Sequence, residues 1–196
     1  MKTLLIERRA RRVMALSGWG IAAVLLLGAS TAVARGPRIL VPQDVPNEVT
    51  ALVESAWASY LDAFPAKHDC IGTVELVLVA NVPAGEASYR YADHLVRIEI
   101  PTTPEDFPES LAHELGHHLD RACGAREEIG ARLVVTQGLD RAASWDQGVL
   151  WHEIPAEHFA EAVVEVALGR RLMHADIVTL SELTLRLVSD WGNGKH

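Results

Sequence analysis

Basic residues are scarce in this chain once its first 34 positions are set aside. Those positions hold five of the 18 Lys and Arg residues but only one of the 26 Asp and Glu residues, which leaves a net charge of −12 for residues 35–196. A surface that binds nucleic acid needs a basic face against the phosphates. The composition therefore argues against nucleic acid as a partner.

Internal repeats, low-complexity tracts and interior linkers are also absent from the sequence. A length of 196 residues, about half of them apolar, is enough for one domain with its own core and too short for two ordinary domains. We therefore expect a single domain over residues 35–196, and we expect it to be a monomer.

The first 34 residues follow the pattern of a secretory signal peptide. A basic stretch over residues 1–12 precedes an apolar run from Val13 to Leu27, and the small residues Ala32 and Ala34 come next. This order predicts cleavage after Ala34 and a secreted or extracytoplasmic protein. The alternative is an uncleaved membrane anchor, although the apolar run is short for a full span. A membrane contact is expected only in that second case.

Cysteine is rare as well. Cys70 and Cys123 are the two cysteines of the sequence, and both lie in the part that is predicted to be exported. Disulfides persist in oxidising compartments, so the pair favours one disulfide bond between them. Two buried free thiols are the alternative interpretation.

Apolar periodicity predicts several helices and few strands. A β-branched run at 73–80 indicates a buried strand, and the alternating segment 94–100 indicates a half-exposed strand at an edge of the sheet. Helical spacing is found in five segments: 47–64, 108–123, 125–139, 155–170 and 176–192. A helix, then strands, then helices is the order of an α+β domain, here with a small mixed sheet.

Residues 113–117 read HELGH and fit the pattern H-E-x-x-H. On a helix, His113 and His117 lie four residues apart on one face, so both can bind one Zn²⁺ ion. Glu114 lies beside the first ligand, where it can take a proton from a zinc-bound water. Gly116 permits another element to approach the helix closely. A His-rich exposed helix face is the alternative interpretation.

A catalytic zinc site usually takes three ligands from the protein, and this motif supplies two. The metzincin arrangement is excluded, because it needs Gly and His where this chain has Asp120 and Cys123. Glu157 and Glu161 lie one turn apart on a later predicted helix. Carboxylates on an apolar helix are costly to bury unless they meet a cation or donors, which a zinc ion with its His ligands would supply. A solvated helix face is the alternative.

The pattern H-E-x-G-H-x-x-D that starts at His113, followed by E-x-F-A-E that starts at Glu157, resembles the gluzincin group of metallopeptidases. That group includes anthrax lethal factor and the secreted bacterial Pro-Pro endopeptidases. The resemblance covers residues 107–165 and implies a minimal zincin-like fold, in which an active-site helix faces a glutamate helix. It implies that Glu157 is the third zinc ligand and that Glu161 lies behind the metal. Asp120 would orient a ligand imidazole or the helix end.

One residue of that group has no counterpart in this chain. Members place a Tyr shortly before the glutamate helix, where it stabilises the oxyanion formed at the attacked carbonyl. No Tyr occurs between Cys123 and Glu157. His152 is the nearest side chain that can donate such a hydrogen bond, so it is the catalytic candidate; a partly buried loop His is the alternative. His118 lies about 100° around the helix from His117 and is expected to take no part.

The segment 94–100 also suggests how a substrate would bind. Peptidases of this type add the substrate as an antiparallel strand along an exposed sheet edge, which would place Arg97 and Glu99 beside the cleft. The preceding loop, 81–93, is expected to form a wall of the cleft. An ordinary strand with its polar face in water is the alternative.

The sequence therefore predicts a secreted zinc endopeptidase that hydrolyses a peptide or protein substrate, with Glu114 as general base. The resemblance does not imply Pro-Pro specificity. The alternative is a catalytically inactive zincin-like module that binds zinc and a protein partner without cleaving it. The missing Tyr favours this alternative, whereas Glu114 argues against it, because a purely structural site needs no base.

Overall fold

The computed structural model describes residues 36–80, 88–90, 92, 94–100 and 103–195. The predicted signal peptide, its cleavage after Ala34 and the anchor alternative lie outside these residues and stay predictions. Most of the loop 81–93 and the side chains of Arg97 and Glu99 also lie outside the description.

Six α-helices occur in the described part of the chain: α1 (Asn47–Ala63), α2 (His68–Ile71), α3 (Phe107–Cys123), α4 (Ala125–Gln137), α5 (Pro155–Leu168) and α6 (Glu182–Gly192). Five of them match predicted segments. α6 begins later than residue 176, because Ser181 caps it and accepts a hydrogen bond from the backbone N–H of Thr184. Among these helices, none combines the length and the apolar content that a membrane crossing requires.

The sheet has four strands in the described residues: β1 (Arg38–Leu40), β2 (Thr73–Ala80), β3 (Ser88–Arg90) and β4 (Leu95–Ile100), in the spatial order β1-β2-β4-β3. β1 and β4 run parallel to β2, whereas β3 runs antiparallel to β4. The prediction of an α+β chain with a small mixed sheet is therefore confirmed.

The prediction that 94–100 forms the sheet edge is wrong. β3 pairs with Leu95–Arg97 and is itself the outer strand of the sheet as far as the described residues go. The sequence did not predict β3, because this strand has only three residues and follows a segment with Pro and Gly that is typical of a loop. Any substrate that extends the sheet on this side would meet β3 first.

The hydrophobic core lies between the helices and the inner face of the sheet. α1 and α3 are joined at Tyr60, whose hydroxyl donates to the carbonyl of Leu115 over 3.3 Å. Phe159 of α5 contacts Trp191 of α6 edge to face, with ring centroids 5.8 Å apart. These buried contacts fix α3 and α5, the two helices that carry the HELGH and EHFAE patterns.

α3 and α5 approach each other closely at Gly116. A Cβ atom at this position would lie 2.8 Å from the Cα atom of Ala160 and 3.3 Å from the Cβ atom of Val163. Real Cβ contacts are longer than the first of these distances, so the helices could not pack at this separation with a larger residue. The close approach expected from Gly116 is therefore confirmed.

We expect Gly116→Ala to destabilise the fold by about 1–3 kcal/mol, because the added methyl group must push apart two backbones. The better helix propensity of Ala, about 1 kcal/mol, offsets part of this loss. Zinc affinity should fall with stability, since the candidate ligands lie on both helices. Urea denaturation and zinc titration measure the two effects. Gly130→Ala is the control: the atoms nearest to its Cβ would belong to the Trp145 ring, a side chain rather than a backbone, at 3.2 Å, and the substitution should leave zinc affinity unchanged. Unchanged stability of Gly116→Ala would contradict the expected clash.

Cys70 and Cys123 form a disulfide bond, as the sequence predicted. It joins α2 to the last residue of α3 and closes a loop of 53 residues. In the chain-entropy description, a loop of this length corresponds to about 4 kcal/mol of stabilisation. The bond therefore anchors the end of the helix that carries His113 and His117.

Candidate metal centre

Three side chains from α3 and α5 bring their donor atoms together. His113 Nε2 lies 3.2 Å from His117 Nε2 and 3.1 Å from Glu157 Oε2, and His117 Nε2 lies 3.4 Å from the same oxygen. The three atoms form a nearly equilateral triangle. Among the described residues, this is the group that could hold a metal ion.

The two histidines reach this triangle because they lie one turn apart on α3, with ring centroids 4.9 Å apart. Glu157 reaches it from the first turn of α5, which begins at Pro155. The three side chains are 13%, 11% and 17% exposed, so their donor atoms face a cleft rather than open solvent. The triangle is thus a product of two helices packed side by side.

Glu161 contacts the other side of His113. Its Oε1 atom lies 2.9 Å from His113 Nδ1, while Glu157 takes the Nε2 side of the same ring. The sequence offered both glutamates as ligands, and the resemblance placed Glu161 behind the metal. In the structure, Glu161 orients the His113 ring and Glu157 faces both histidine Nε2 atoms.

His113 holds a proton strongly in this arrangement. Burial by itself lowers its pKa, but hydrogen bonds to Glu157 and Glu161 and the charge of Glu114 outweigh burial and raise the pKa to about 10. Burial likewise raises the pKa of Glu157 and of Glu161, yet His113 and His117 lower the pKa of Glu157 below the ordinary value. His113, Arg171 and His174 do the same for Glu161. Both carboxylates are therefore ionised at neutral pH.

Glu161 is 2% exposed and has further partners that the sequence did not reveal. Arg171 donates from its NH1 group to Oε2 over 3.0 Å, and His174 Nδ1 lies 3.2 Å from Oε1. Both residues lie in the segment after α5. A buried carboxylate needs such donors, so the sequence Arg-Arg-Leu-Met-His directly after the glutamate helix was the available signal.

Glu114 is buried beside the triangle, with 4% of its surface exposed. Its Oε2 atom has no hydrogen-bond partner among the described residues, and a hydrogen bond from the Tyr89 backbone reaches its carboxyl group. Burial raises the pKa of Glu114 above the ordinary value, and the charges of His113 and His117 offset part of that rise. A buried carboxylate oxygen without a donor is unusual. An oxygen in this position could accept a proton from a molecule in the cleft.

A cleft of about 680 Å³ contains the triangle together with Glu114 and Glu161. Further side chains on its walls include Ser88, Tyr89, Trp151, Met173, His174 and Ile177. The strand β3 and the segment after α5 therefore line the same cleft as the candidate metal-binding group.

Asp120, His118 and His152 were also considered in the sequence, and each has different neighbours in the structure. Asp120 accepts hydrogen bonds from the Arg126 backbone N–H (2.9 Å) and from Trp145 Nε1 (2.7 Å). It therefore orients the junction between α3 and α4, which is the second of the two expectations for this residue. His118 is fully buried, and its Nε2 donates to the carbonyl of Ile71 over 2.8 Å.

His152 is exposed and does not line the cleft. Its carbonyl accepts a hydrogen bond from His158 Nε2 over 2.7 Å, which is a structural contact at the start of α5. A catalytic part for the His152 ring stays a prediction without support from its position. His174 lies on the cleft wall instead.

Comparison of the chain with family models, with curated proteins and with solved structures returns no match. The geometry of the site is therefore the basis for the function.

Proposed function

We propose that this protein is a zinc-dependent endopeptidase with a minimal zincin-like, gluzincin-type active site. One observation carries the proposal: a triangle of two imidazole nitrogens and one carboxylate oxygen lies beside a buried glutamate, and the Oε2 atom of that glutamate has no partner in the described part of the chain. A metal site that only stabilises the fold does not require a carboxylate that can accept a proton.

The donor set fits zinc. Catalytic zinc sites commonly use two histidines and one glutamate and leave a fourth position open. For bonds of about 2.0–2.1 Å in a tetrahedral site, neighbouring ligand atoms are about 3.3 Å apart. The three donor atoms are separated by 3.1, 3.2 and 3.4 Å. They can therefore share one ion without rearrangement of either helix.

Each residue of the site has a part in hydrolysis. His113, His117 and Glu157 would hold the ion, which as a Lewis acid lowers the pKa of a water that binds it towards neutrality. Glu114 accepts a proton from the attacking water and returns it to the leaving amine. Glu161 fixes the orientation of His113 through Nδ1, as carboxylates commonly do behind histidine ligands.

The peptide substrate would lie along β3. This strand is at the edge of the sheet, and Ser88 and Tyr89 line the cleft. Addition of an extended peptide to an edge strand uses main-chain hydrogen bonds, so it does not depend on the peptide's sequence. Specificity would then arise from the cleft walls, including Trp151, Met173 and Ile177.

A non-catalytic module that binds zinc and a protein partner is the second candidate. The observation that favours it is the missing Tyr before α5, since Tyr89, the one Tyr of the described cleft wall, already has its hydroxyl 2.9 Å from His118 Nδ1. Turnover separates the two candidates, because only an enzyme cleaves peptides repeatedly.

Metal analysis and peptide cleavage test the proposal together. We expect about one tightly bound zinc per chain and cleavage of internal peptide bonds in a proteome-derived peptide library, detected by mass spectrometry. Bound zinc without turnover would favour the non-catalytic module. Absence of metal, or iron in place of zinc, would contradict the proposed endopeptidase.

The protonation of His113 provides a test in the metal-free protein. Its raised pKa means that the imidazolium persists until the pH approaches about 10, rather than being lost near the ordinary value. Zinc needs the lone pair of Nε2, so the proton competes with it and zinc affinity should rise with pH across this window. Long-range ¹H–¹⁵N NMR spectra can follow the ring. Glu157→Gln should lower the titration midpoint, and a wild-type midpoint near pH 6.5 would contradict this account.

A further inference from the structure

Tyr89 is the central residue of β3, the strand that lines the cleft. Its neighbours Ser88 and Arg90 are exposed, whereas Tyr89 is partly buried, so its side chain lies on the inner face of the strand. β3 has only three residues, and β4 is its one partner among the described strands. Few backbone hydrogen bonds hold such a strand, so the contacts of its side chains decide how firmly it stays in place.

The hydroxyl of Tyr89 contacts two histidines. It lies 2.9 Å from Nδ1 of His118 on α3 and 3.1 Å from Nδ1 of His94, the residue before β4. The His118 ring packs edge-on against both partners, with centroid distances of 5.4 Å to Tyr89 and 5.3 Å to His94. These three side chains, which we call the tyrosine cluster, are separate from the three candidate metal ligands.

The directions of these hydrogen bonds follow from the surroundings of His118. Its Nε2 lies 2.8 Å from the carbonyl of Ile71, and a carbonyl only accepts, so Nε2 carries a hydrogen. His118 is fully buried, which disfavours the charged ring, so Nδ1 has none. The Tyr89 hydroxyl therefore donates to His118, and its oxygen accepts from Nδ1 of His94. One hydroxyl can do both, so each polar atom at this contact has a partner.

Both partners of the hydroxyl are themselves fixed. His118 lies on α3 and is bonded to Ile71, the last residue of α2. The carbonyl of His94 accepts a hydrogen bond from the backbone N–H of Glu75 in β2 over 3.1 Å. The φ angle of His94 is +53°, in the left-handed region that non-glycine residues rarely adopt, so surrounding contacts must impose it. The Tyr89 hydroxyl therefore joins β3 to the helices and to the inner strands.

The main chain of Tyr89 contacts the proposed general base. Its backbone N–H donates a hydrogen bond to the carboxyl group of Glu114. Glu114 and His118 are four residues apart on α3, so one face of this helix receives both the backbone and the hydroxyl of Tyr89. In the proposed function, the peptide substrate also pairs with β3. The position of β3 therefore sets the distance between the base and the substrate.

We propose that Tyr89 is a positioning residue for peptide cleavage, and that its hydroxyl acts through His118 to hold β3 against α3. The inference rests on the proposed endopeptidase function. With β3 held there, the strand presents the substrate to the cleft at a fixed distance from Glu114. A misplacement of about 1 Å in such an arrangement can lower the rate by about 10²-fold. The tyrosine cluster thus supplies an attachment that the three backbone pairs of β3 do not provide by themselves.

Four substitutions separate positioning from general stabilisation. Tyr89→Phe removes the hydroxyl and keeps the ring. His118→Gln places an amide nitrogen near the position of Nε2, so it keeps the donor to Ile71 but loses the acceptor for Tyr89. His118→Asn places an amide oxygen near the position of Nδ1 and does the reverse. Tyr60→Phe is the matched control, because its buried hydroxyl also bonds to α3, at the carbonyl of Leu115, and Tyr60 does not line the cleft.

The experiment measures kcat and KM per zinc-loaded molecule with the most rapidly cleaved peptide of a proteome-derived library, together with melting temperature and backbone hydrogen exchange of β3. Loss of one hydrogen bond typically shifts an opening equilibrium by about 2–10-fold, so exchange in β3 should accelerate by this factor in Tyr89→Phe. We expect kcat/KM to fall by about tenfold, through both a lower kcat and a higher KM, because β3 contacts the base and the substrate.

The other variants show whether the effect passes through His118. His118→Gln should have the same kinetic defect as Tyr89→Phe, and the double variant should be no worse than either single variant, since both remove one contact. His118→Asn should keep kcat and KM close to wild type while its melting temperature falls. Tyr60→Phe should also lower only the melting temperature.

Values of kcat and KM within about twofold of wild type in Tyr89→Phe would overturn the inference and leave the endopeptidase function intact, even if exchange in β3 accelerates. A kinetic defect of equal size in Tyr60→Phe would also overturn it, because the rate would then respond to any loss of contact with α3. Additive defects in the double variant would show that Tyr89 does not act through His118. If the wild-type protein cleaves no peptide, the proposed function fails, and this inference fails with it.

Discussion

Glu114→Gln should abolish peptide cleavage and leave the zinc in place. The amide keeps the shape of the side chain and can still accept the hydrogen bond from the Tyr89 backbone, but it cannot take a proton from water. Positioned general bases contribute about 10²–10⁴-fold to rate, so kcat should fall by about 10³-fold. Stopped assays on the peptide library, with zinc measured in the same samples, provide the test.

The same substitution should not destabilise the protein. Burial raises the pKa of Glu114, which means that the ionised carboxylate is disfavoured in the folded state. This penalty is absent well below the ordinary pKa and grows as the pH rises through it, so a neutral amide should raise the melting temperature of the metal-free protein at pH 7. Glu127→Gln, on the exposed surface of α4, is the control and should change neither activity nor stability. Retained activity in Glu114→Gln would exclude this residue as the base.

Glu157→Ala should release the zinc. The substitution removes one of three donor atoms and leaves His113 and His117 as an incomplete site. Loss of a residue that merely orients a ligand typically weakens metal binding by about 10–100-fold, so loss of a ligand should exceed the upper end of that range. Competition titrations with a zinc-binding dye measure the affinity, and activity should disappear at substoichiometric zinc.

Two further substitutions on α5 establish what this result means. Glu161→Gln keeps the triangle but weakens the contact that orients His113, so it should fall between wild type and Glu157→Ala in zinc affinity. Glu165→Ala removes a carboxylate from the same helix that does not line the cleft, and it should bind zinc like wild type. Wild-type affinity in Glu157→Ala would show that the third ligand comes from elsewhere.

Local pattern in the sequence was sufficient for much of this protein. The spacing of His113 and His117 places both rings on one helix face, because 3.6 residues complete a turn and no tertiary contact is needed for that result. The helices that carry HELGH and EHFAE, the buried strand at 73–80 and the pairing of Cys70 with Cys123 also followed from composition and periodicity. The helices and the strand depend on residues that are near one another in the sequence. The disulfide followed because the chain has only two cysteines.

Other features depended on which surfaces meet across the fold. The outer strand β3 has only three residues, too few for a periodic signal, and it becomes a strand because β4 offers its hydrogen-bonding groups. Sequence spacing also placed His152 closer to the site than His174, although the bend after α5 brings His174 to the cleft and leaves His152 exposed. The sequence Arg-Arg-Leu-Met-His indicated possible partners for a buried carboxylate. It did not indicate the bend itself, because that bend is held by Arg171 and by Glu109, a carboxylate on another helix.

By itself, the sequence determined that His113 and His117 share one face of a helix with Glu114 next to His113, and that Glu157 and Glu161 share one face of another helix. The family resemblance implied that Glu157 faces the histidines and that Glu161 lies behind them. Only the tertiary structure decided which atoms meet and that Arg171 and His174 join Glu161 behind His113. The reason is the packing of α3 against α5 at Gly116, where the absence of a side chain allows the two faces to meet. Periodicity specifies which residues share a face, and the contact between the helices specifies which atoms oppose each other.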